Sequence, residues 1–337
     1  MRKLFWIPLV IVLAIALIFS GCPAPTAEKP VELTMVDFRP DIPPGNYWPH
    51  LFVDKVASIS NGAMVIKFIG GPEAVPAMDS AAAAQKGAID IASAMSLFTP
   101  VPMTEVLGYS EYSSAKQRER GAVKFFQDLY EDYGIYFLGA STPSEAQVQV
   151  TFFFKKEISK LEDFAGLRIA SVGGSNKGLI EALGAACVPI DFTEYFTAME
   201  RGTVDAYNVG TPGIQDFGLT PVTGCLLDEP ISSCGSFFLM NLDRWNNLPK
   251  NLKDDLTQAI IETEIEGAAA WGDLLVKVKA DISAEGVVIV KFSPEDSKKF
   301  YKTYRDGMWA EAYQRYPKDI LDKVNELIAD PNFYRLK

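Results

Sequence analysis

Histidine and cysteine are scarce in this chain of 337 residues, which contains one histidine and four cysteines. A serine or cysteine nucleophile usually needs a base within hydrogen-bond reach, and a structural zinc site usually needs four histidine or cysteine ligands. The only histidine, His50, stands among apolar residues, and the cysteines show no CxxC spacing. We therefore predict no catalytic residues, no metal site, no cofactor and no disulfide scaffold.

Basic residues are fewer than acidic ones, 32 lysines and arginines against 43 aspartates and glutamates, so the net charge is −11. Duplex-binding proteins need a basic face, and this balance excludes nucleic acid as a partner. Hydrophobic residues make up 48% of the chain, enough for a packed core. The length exceeds what one core usually covers, and it predicts two domains.

One long apolar run occurs, over residues 4–19, and it follows Arg2 and Lys3. At about 16 residues it is shorter than the roughly 20 that a membrane span needs. Small residues and Cys22 come directly after it, a pattern that resembles a bacterial lipoprotein signal. Residues 1–22 are predicted to be this signal with lipidated Cys22, and residues 23–30 a tether. Cleavage with release, or a retained anchor, are the alternatives; each places the body of the protein outside the cytoplasm.

The remaining sequence alternates strand and helix patterns, which predicts an α/β fold. Single helices are expected over residues 47–60 and 115–133, a capping box over 159–162, and a strand over 204–208. Apolar residues recur every three to five positions from about 251 to 284, which predicts a helix of about 45 Å. A helix of that length exceeds one small domain, so we expect it to span two. A coiled coil is the alternative, disfavoured by Gly267 and Gly272.

Five motifs occur in order along the chain: QKGAID at 85–90, FAGLRI at 164–169, VPIDF at 188–192, AMERGTVDA at 198–206 and FLMNLDRWNNLP at 238–249. Together they resemble the DctP-type solute-binding subunit of tripartite ATP-independent periplasmic (TRAP) transporters. The resemblance covers roughly residues 30 to 330. It identifies the chain as similar to an extracytoplasmic solute receptor rather than an enzyme.

The resemblance implies a two-domain periplasmic-binding-protein-like fold with a solute in the interdomain cleft. Domain I is expected over 31–147 plus 239–283, and domain II over 148–238 plus 284–337. The closed, loaded receptor would deliver a small organic solute to the small and large membrane permease subunits. A binding protein coupled to a membrane signalling kinase, or a secreted enzyme on the same scaffold, remain as alternatives.

The sequence departs from the family where the ligand's carboxylate is normally held. The family reads Gly-Leu-Lys-Ile-Arg, and its arginine pairs with the carboxylate; here the segment ends at Ala170, with Arg168 two residues earlier. Residues i and i+2 share a strand face, so Arg168 is either a shifted clamp or a surface residue in place of the family's lysine. Without the clamp, a neutral, aromatic or amine-bearing solute is slightly favoured over a carboxylate.

Other candidate ligand-binding residues lie where strands are expected to end. Arg39 follows the first strand and is the best remaining cationic anchor, because strand carboxyl ends face the cleft in open α/β sheets. Asn208 stands where many family members place Glu or Asn. Phe38 precedes Arg39, Tyr47 and Trp48 open the following helix, and Tyr207 and Val209 flank Asn208. Met95 follows the strand expected over 88–94 at its cleft end, and Phe192 matches the aromatic residue before the family's Glu-x-Tyr. We thus expect an apolar, aromatic pocket with few charges. Cys225 and Cys234 are either a disulfide or free thiols.

Overall fold

The computed structural model describes residues 29–43, 46–140, 150–172, 176–231 and 236–330. The predicted signal, Cys22, most of the tether and Cys234 lie outside the described residues, so the predictions for lipidation and for a Cys225–Cys234 disulfide remain predictions. None of the helices in the described ranges is long and apolar enough to span a membrane.

The strands of the described ranges form two mixed sheets. The first sheet has the order β2-β1-β3-β10-β4, and the second has the order β11-β9-β5-β8-β6-β7. The strands are β1 Val31–Asp37, β2 Met64–Gly70, β3 Ile91–Met95, β4 Ile135–Ala140, β5 Val150–Phe154, β6 Arg168–Ser171, β7 Ala186–Pro189, β8 Ala206–Gly210, β9 Cys225–Leu227, β10 Ser236–Asn241 and β11 Val288–Val290.

The α-helices cover the faces of these sheets. In chain order they are α1 Tyr47–Ile59, α2 Ser80–Gln85, α3 Ser114–Glu119, α4 Ala122–Glu131, α5 Lys177–Ala182, α6 Tyr195–Arg201, α7 Gly213–Asp216, α8 Leu242–Asn246, α9 Lys250–Ala284, α10 Pro294–Arg315 and α11 Lys318–Ile328. Short 3-10 turns include Ser96–Phe98, Thr104–Tyr109, Leu161–Phe164 and Phe192–Glu194.

Parallel pairing sets which strand ends meet in each sheet. In the first sheet β1 runs parallel to β2 and β3. In the second sheet β6 runs parallel to β7 and β8. The carboxyl ends of parallel strands lie at one edge, so the residues just after β1 and β3 are neighbours, as are those just after β6 and β8. Strand β10 pairs with β3 and β4 antiparallel to both.

The long helix α9 connects the two halves of the fold, as the apolar periodicity predicted. Its 35 residues extend about 52 Å. Leu256 and Ile260 pack with residues of the first sheet, whereas Val278 and Ile282 pack with residues of the second. Between these contacts Glu264 is buried and accepts hydrogen bonds from Arg118 and from the backbone of Ala140. The helix therefore spans both sheets and is anchored at the end of β4.

The C-terminal helices return along the second sheet to the first. Helix α10 crosses α5 so closely that a Cβ at Gly307 would lie 2.6 Å from the carbonyl oxygen of Gly178. The carbonyl oxygen of Ile328, the last residue of α11, accepts a hydrogen bond from the backbone N–H of Glu111 beside the first sheet. The domain division stays a prediction, and its boundary at 239 falls inside β10, which pairs with first-sheet strands from Ser236 onward.

Several local predictions were wrong. The helix expected over 115–133 is two helices, α3 and α4, because Gly121 between them adopts φ +84°. The capping box forms one residue later than predicted, with the Asp163 carboxylate accepting from the backbone of Ser159 and Lys160. The strand expected over 204–208 begins and ends two residues later, as β8 Ala206–Gly210. Strands β7 and β9 and helix α8 were not predicted; they are short, so they carry little periodic signal.

Candidate functional site

Six apolar side chains join the two sheets at their strand ends. We call this group the cleft cluster: Phe38, Met95, Leu97, Phe98, Val172 and Phe192. Phe38 follows β1, and Met95 ends β3; Val172 comes just after β6. Four members thus come from the first sheet's edge and two from the second's. The cleft cluster marks where the strand ends of the two sheets face each other, the usual place for a ligand in open α/β folds.

Arg39, the predicted cationic anchor, lies beside the cleft cluster in a buried ion pair. Its Nε donates to Asp37 Oδ1 at 2.9 Å and its Nη2 to Asp37 Oδ2 at 2.8 Å. The guanidinium also lies over the Phe38 ring, 4.7 Å from its centroid. Burial by itself lowers the pKa of Arg39, but the charge and hydrogen bonds of Asp37 outweigh it and raise that pKa. The arginine is therefore charged and oriented by its neighbour.

A second carboxylate, Asp216, acts on Arg39 from the other sheet. Asp216 ends α7, the short helix after β8. Burial raises the pKa of Asp216 to about 6, and the positive charge of Arg39 opposes that rise. Its buried Oδ1 accepts no hydrogen bond from any residue that the structure describes. Arg39 is therefore paired directly with Asp37 and interacts electrostatically with Asp216 of the other half of the fold.

Stacked aromatic rings lie next to Asp216. Phe192 of the cleft cluster stacks on Phe217 at 5.0 Å between centroids, with 11° between the ring planes. It also meets the ring of Tyr195 edge-on at 5.5 Å. Phe217 directly follows Asp216 in the chain, so this ring pair connects the end of α7 to the cleft cluster. Phe192, one of the candidate ligand-binding residues, therefore belongs both to this ring pair and to the cleft cluster.

The β8 candidates separate into packed and unsatisfied residues. Tyr207 is fully buried, stacks on Phe153 at 5.0 Å, and shares a 2.7 Å hydrogen bond with Thr223; burial raises its pKa strongly. Val209 packs in the same core. Asn208 is also buried, but its Oδ1 lacks a donor among the described residues. Only Asn208 of this trio has polar capacity left for a ligand.

Ala170, at the position of the family's clamp, is fully buried in an apolar core. It packs in one cluster with Phe153, Tyr195 and Tyr207. Arg168 instead forms an exposed bidentate ion pair with Asp205 at the start of β6. These contacts match the surface alternative for Arg168, and they do not bring it to the cleft cluster.

Tyr47 and Trp48 pack toward the long helix rather than into the cleft cluster. Trp48 is 1% exposed and meets the Trp271 ring at 4.7 Å, and Tyr47 meets Trp48 edge-on at 5.2 Å. Neither indole N–H of Trp48 and Trp271 finds an acceptor among the described residues. Trp48 therefore joins the start of α1 to the middle of α9.

Sequence reasoning missed Asp216, Phe217, Val172 and Trp271. The rule that identified Arg39, a polar residue just beyond a strand's carboxyl end, applies equally to Asp216, which lies six residues after Gly210. The predicted strand ended at 208, two residues before the end of β8, so the sequence placed Asp216 farther from a strand end than it is. In the described parts of the chain, no three His, Cys, Asp or Glu side chains are grouped so that they could hold a metal ion.

Comparison with known proteins identifies the class. Residues 41–315 match DctP, described as bacterial extracellular solute-binding protein, family 7. The match covers most of the chain, so this protein belongs to that family.

Individual relatives agree with the family. A monocarboxylate 2-oxoacid-binding periplasmic protein of Nostoc sp. (strain PCC 7120) is 24% identical over 303 residues, 81% of each chain. A TRAP periplasmic solute-binding protein of Desulfovibrio salexigens with bound orotic acid superposes with a TM-score of 0.77 at 17% identity, over 90% of this chain and 99% of that one. A Bordetella pertussis extracytoplasmic solute receptor that binds pyroglutamic acid gives 0.73 at 17% identity, over 90% and 99%. These structures confirm the two-lobed α/β fold predicted from the sequence.

Proposed function

We propose that this protein binds a small organic solute between its two sheets and delivers it to the small and large subunits of a TRAP-type permease. The observation that supports this most directly is the cleft cluster, which joins residues just beyond β1, β3, β6 and β7 from both sheets. A solute held there would contact both halves and favour their closure. Family membership and the TRAP-type structural relatives support the same function.

The residues we propose for the solute site are those that face this region. Phe38, Met95 and Phe192 supply apolar contacts, Arg39 supplies a charged donor held by Asp37, and Asn208 supplies a buried amide oxygen. Ala170 and Tyr207 would support the site from the core behind it. We propose that the solute is neutral, aromatic or amine-bearing in preference to a simple dicarboxylate, because no arginine occupies position 170.

We also propose that Cys22 carries lipid and anchors the protein to the outer face of the membrane, where a permease would receive the solute. The support is the sequence pattern alone: a basic start, an apolar run and small residues before the cysteine. Genes for two multi-span permease subunits beside this gene would support transport over signalling.

The test of solute binding is a thermal-shift screen of the full chain. The probes are orotate, pyroglutamate, 2-oxobutyrate and glucuronate as acids, with matched amines, polyols and aromatic alcohols. A ligand at 100 times its dissociation constant stabilises by about 2.7 kcal/mol, a shift of several degrees. Small-angle scattering should then show a smaller radius with the best probe. A screen without any stabilising compound would reject the proposed function.

A further inference from the structure

We propose that Asp216 binds an ammonium group of the solute, so that the receptor's ligand is an organic cation with an apolar body. The inference rests on the proposed solute-binding function and names the chemical class of its ligand. It starts from Asp216 Oδ1, which is buried yet accepts no hydrogen bond from the described residues. A buried carboxylate without a donor is costly, and such groups are normally paired in proteins.

The charges around Asp216 favour a cation over an acid. Asp37 neutralises Arg39 through two hydrogen bonds, which leaves the Asp216 carboxylate as excess negative charge at this place. Arg39 interacts with Asp216 electrostatically, but the two form no ion pair within 4.0 Å in the described structure. A solute ammonium would complete the neutralisation and donate the missing hydrogen bonds. A solute carboxylate would meet two aspartates for one arginine.

The neighbouring groups also suit an ammonium with an apolar body. Phe217, the residue after Asp216, stacks on Phe192 of the cleft cluster, and aromatic faces attract cations. On the strand leading to α7, Asn208 Oδ1 is a second buried acceptor without a donor. Asn208 and Asp216 are thus two buried acceptors in this half of the fold, and a ligand that satisfies either one must bring a donor.

The experiment compares three probes of one shape on the full chain by calorimetry: 2-phenylethylamine, 2-phenylethanol and 3-phenylpropanoate. We expect the amine to bind most tightly. Asp216→Asn keeps the side chain's shape and removes its charge, and it should weaken amine binding at least about tenfold. The matched control is Asp128→Asn, an exposed carboxylate on α4 paired with Lys124, which should leave amine binding unchanged.

A second measurement uses the wild-type protein, so that the test does not depend on folding of the variant. The charged group that affects the pKa of Asp216 is Arg39, which is itself paired with Asp37. Because burial raises the pKa of Asp216 to about 6, amine affinity should fall about tenfold between about pH 7.5 and about pH 5. Amine binding that is equal in Asp216→Asn, or independent of pH, overturns the proposal.

The outcomes separate this proposal from the function on which it rests. If the acid, orotate or pyroglutamate binds and the amine does not, the solute receptor stands and the cation proposal is wrong. If no probe of any class binds, both are wrong. If the amine binds and loses affinity in Asp216→Asn alone, both are supported.

Discussion

The carboxyl end of β1 and the first residue of β6 each carry an arginine in a bidentate pair with an aspartate, yet the two pairs differ in their surroundings. The Arg39 and Asp37 side chains are 13% and 2% exposed, whereas those of Arg168 and Asp205 are 46% and 35% exposed. Arg39 lies over Phe38 of the cleft cluster. Val172, the nearest cleft-cluster residue along β6, is about 13 Å of strand away from Arg168.

The difference teaches that the position of a residue along a strand decides its role more than its place in a motif. Arg168 stands inside the family motif, and it lies at the edge of the sheet opposite the cleft cluster. Arg39 belongs to none of the five motifs, but it follows a strand's carboxyl end. Removing one partner of a buried ion pair strongly destabilises the folded protein, whereas an exposed ion pair contributes little to stability.

The largest expected effect comes from restoring the family's arginine. Ala170→Arg would place a long charged side chain among Phe153, Tyr195 and Tyr207, where Ala170 has no exposure. Overpacking and an unpaired buried charge together should cost on the order of 5 kcal/mol. Urea unfolding measures the loss. Ala182→Arg, on the exposed side of α5, is the control and should unfold near the wild-type midpoint.

A soluble Ala170→Arg protein of wild-type stability that gains affinity for succinate would contradict this prediction. Position 170 would then open toward the solute instead of lying in the core behind the site. Equal destabilisation of both variants would show that the effect does not come from burial.

The next effect compares the two arginines directly. Arg39→Ala leaves the buried Asp37 carboxylate without its partner and should lower the free energy of unfolding by about 3 kcal/mol. Arg168→Ala, the matched control, should change it little, because its pair is exposed to solvent. Chemical unfolding of both variants at low salt gives the two values side by side. Equal losses would show that burial does not distinguish these pairs.

The smallest effect concerns pH. The folded-state pKa of Asp216 is raised to about 6 from 3.8, so the folded protein binds this proton more tightly than the unfolded chain does. Stability contributed by the protonated carboxyl is therefore lost as pH rises through about 6. When the pH is lowered from about 7.5 to about 5, the free energy of unfolding of the wild type should rise by about 1 kcal/mol relative to that of Asp216→Asn, whose side chain does not titrate. Parallel stability curves for the two proteins would contradict the raised pKa.

Long periodic elements were predicted well from the sequence. Helix α9 was expected over about 251–284, within one residue of its observed ends. The reason is that periodic burial repeats many times in a long element, so single exceptions such as Gly267 and Gly272 do not obscure it. The short strands β7 and β9 give only a few residues to read, and they were missed.

Part of the site was also accessible from the sequence. Phe38, Arg39 and Met95 were chosen as residues at strand ends, and they lie there, because the end of a strand is a local property. Ala170 and Tyr207 are placed by packing instead: each is enclosed by residues far away in sequence, such as Phe153. Whether a strand face is buried depends on the residues that pack over it. Those residues are distant in sequence, so the local pattern cannot predict the burial.

Sequence alone determined the α/β class, the spanning helix, the family and the absence of an arginine at position 170, because these depend on residue identity, order and periodicity. Only the tertiary structure decided that Asp37 holds Arg39, that Arg168 is paired on the surface, and that Asp216 acts on Arg39 across the two sheets. Asp216 is 177 residues away from Arg39 along the chain. Their interaction arises because folding brings the ends of β1 and β8 together, and burial there makes each charge depend on its partners.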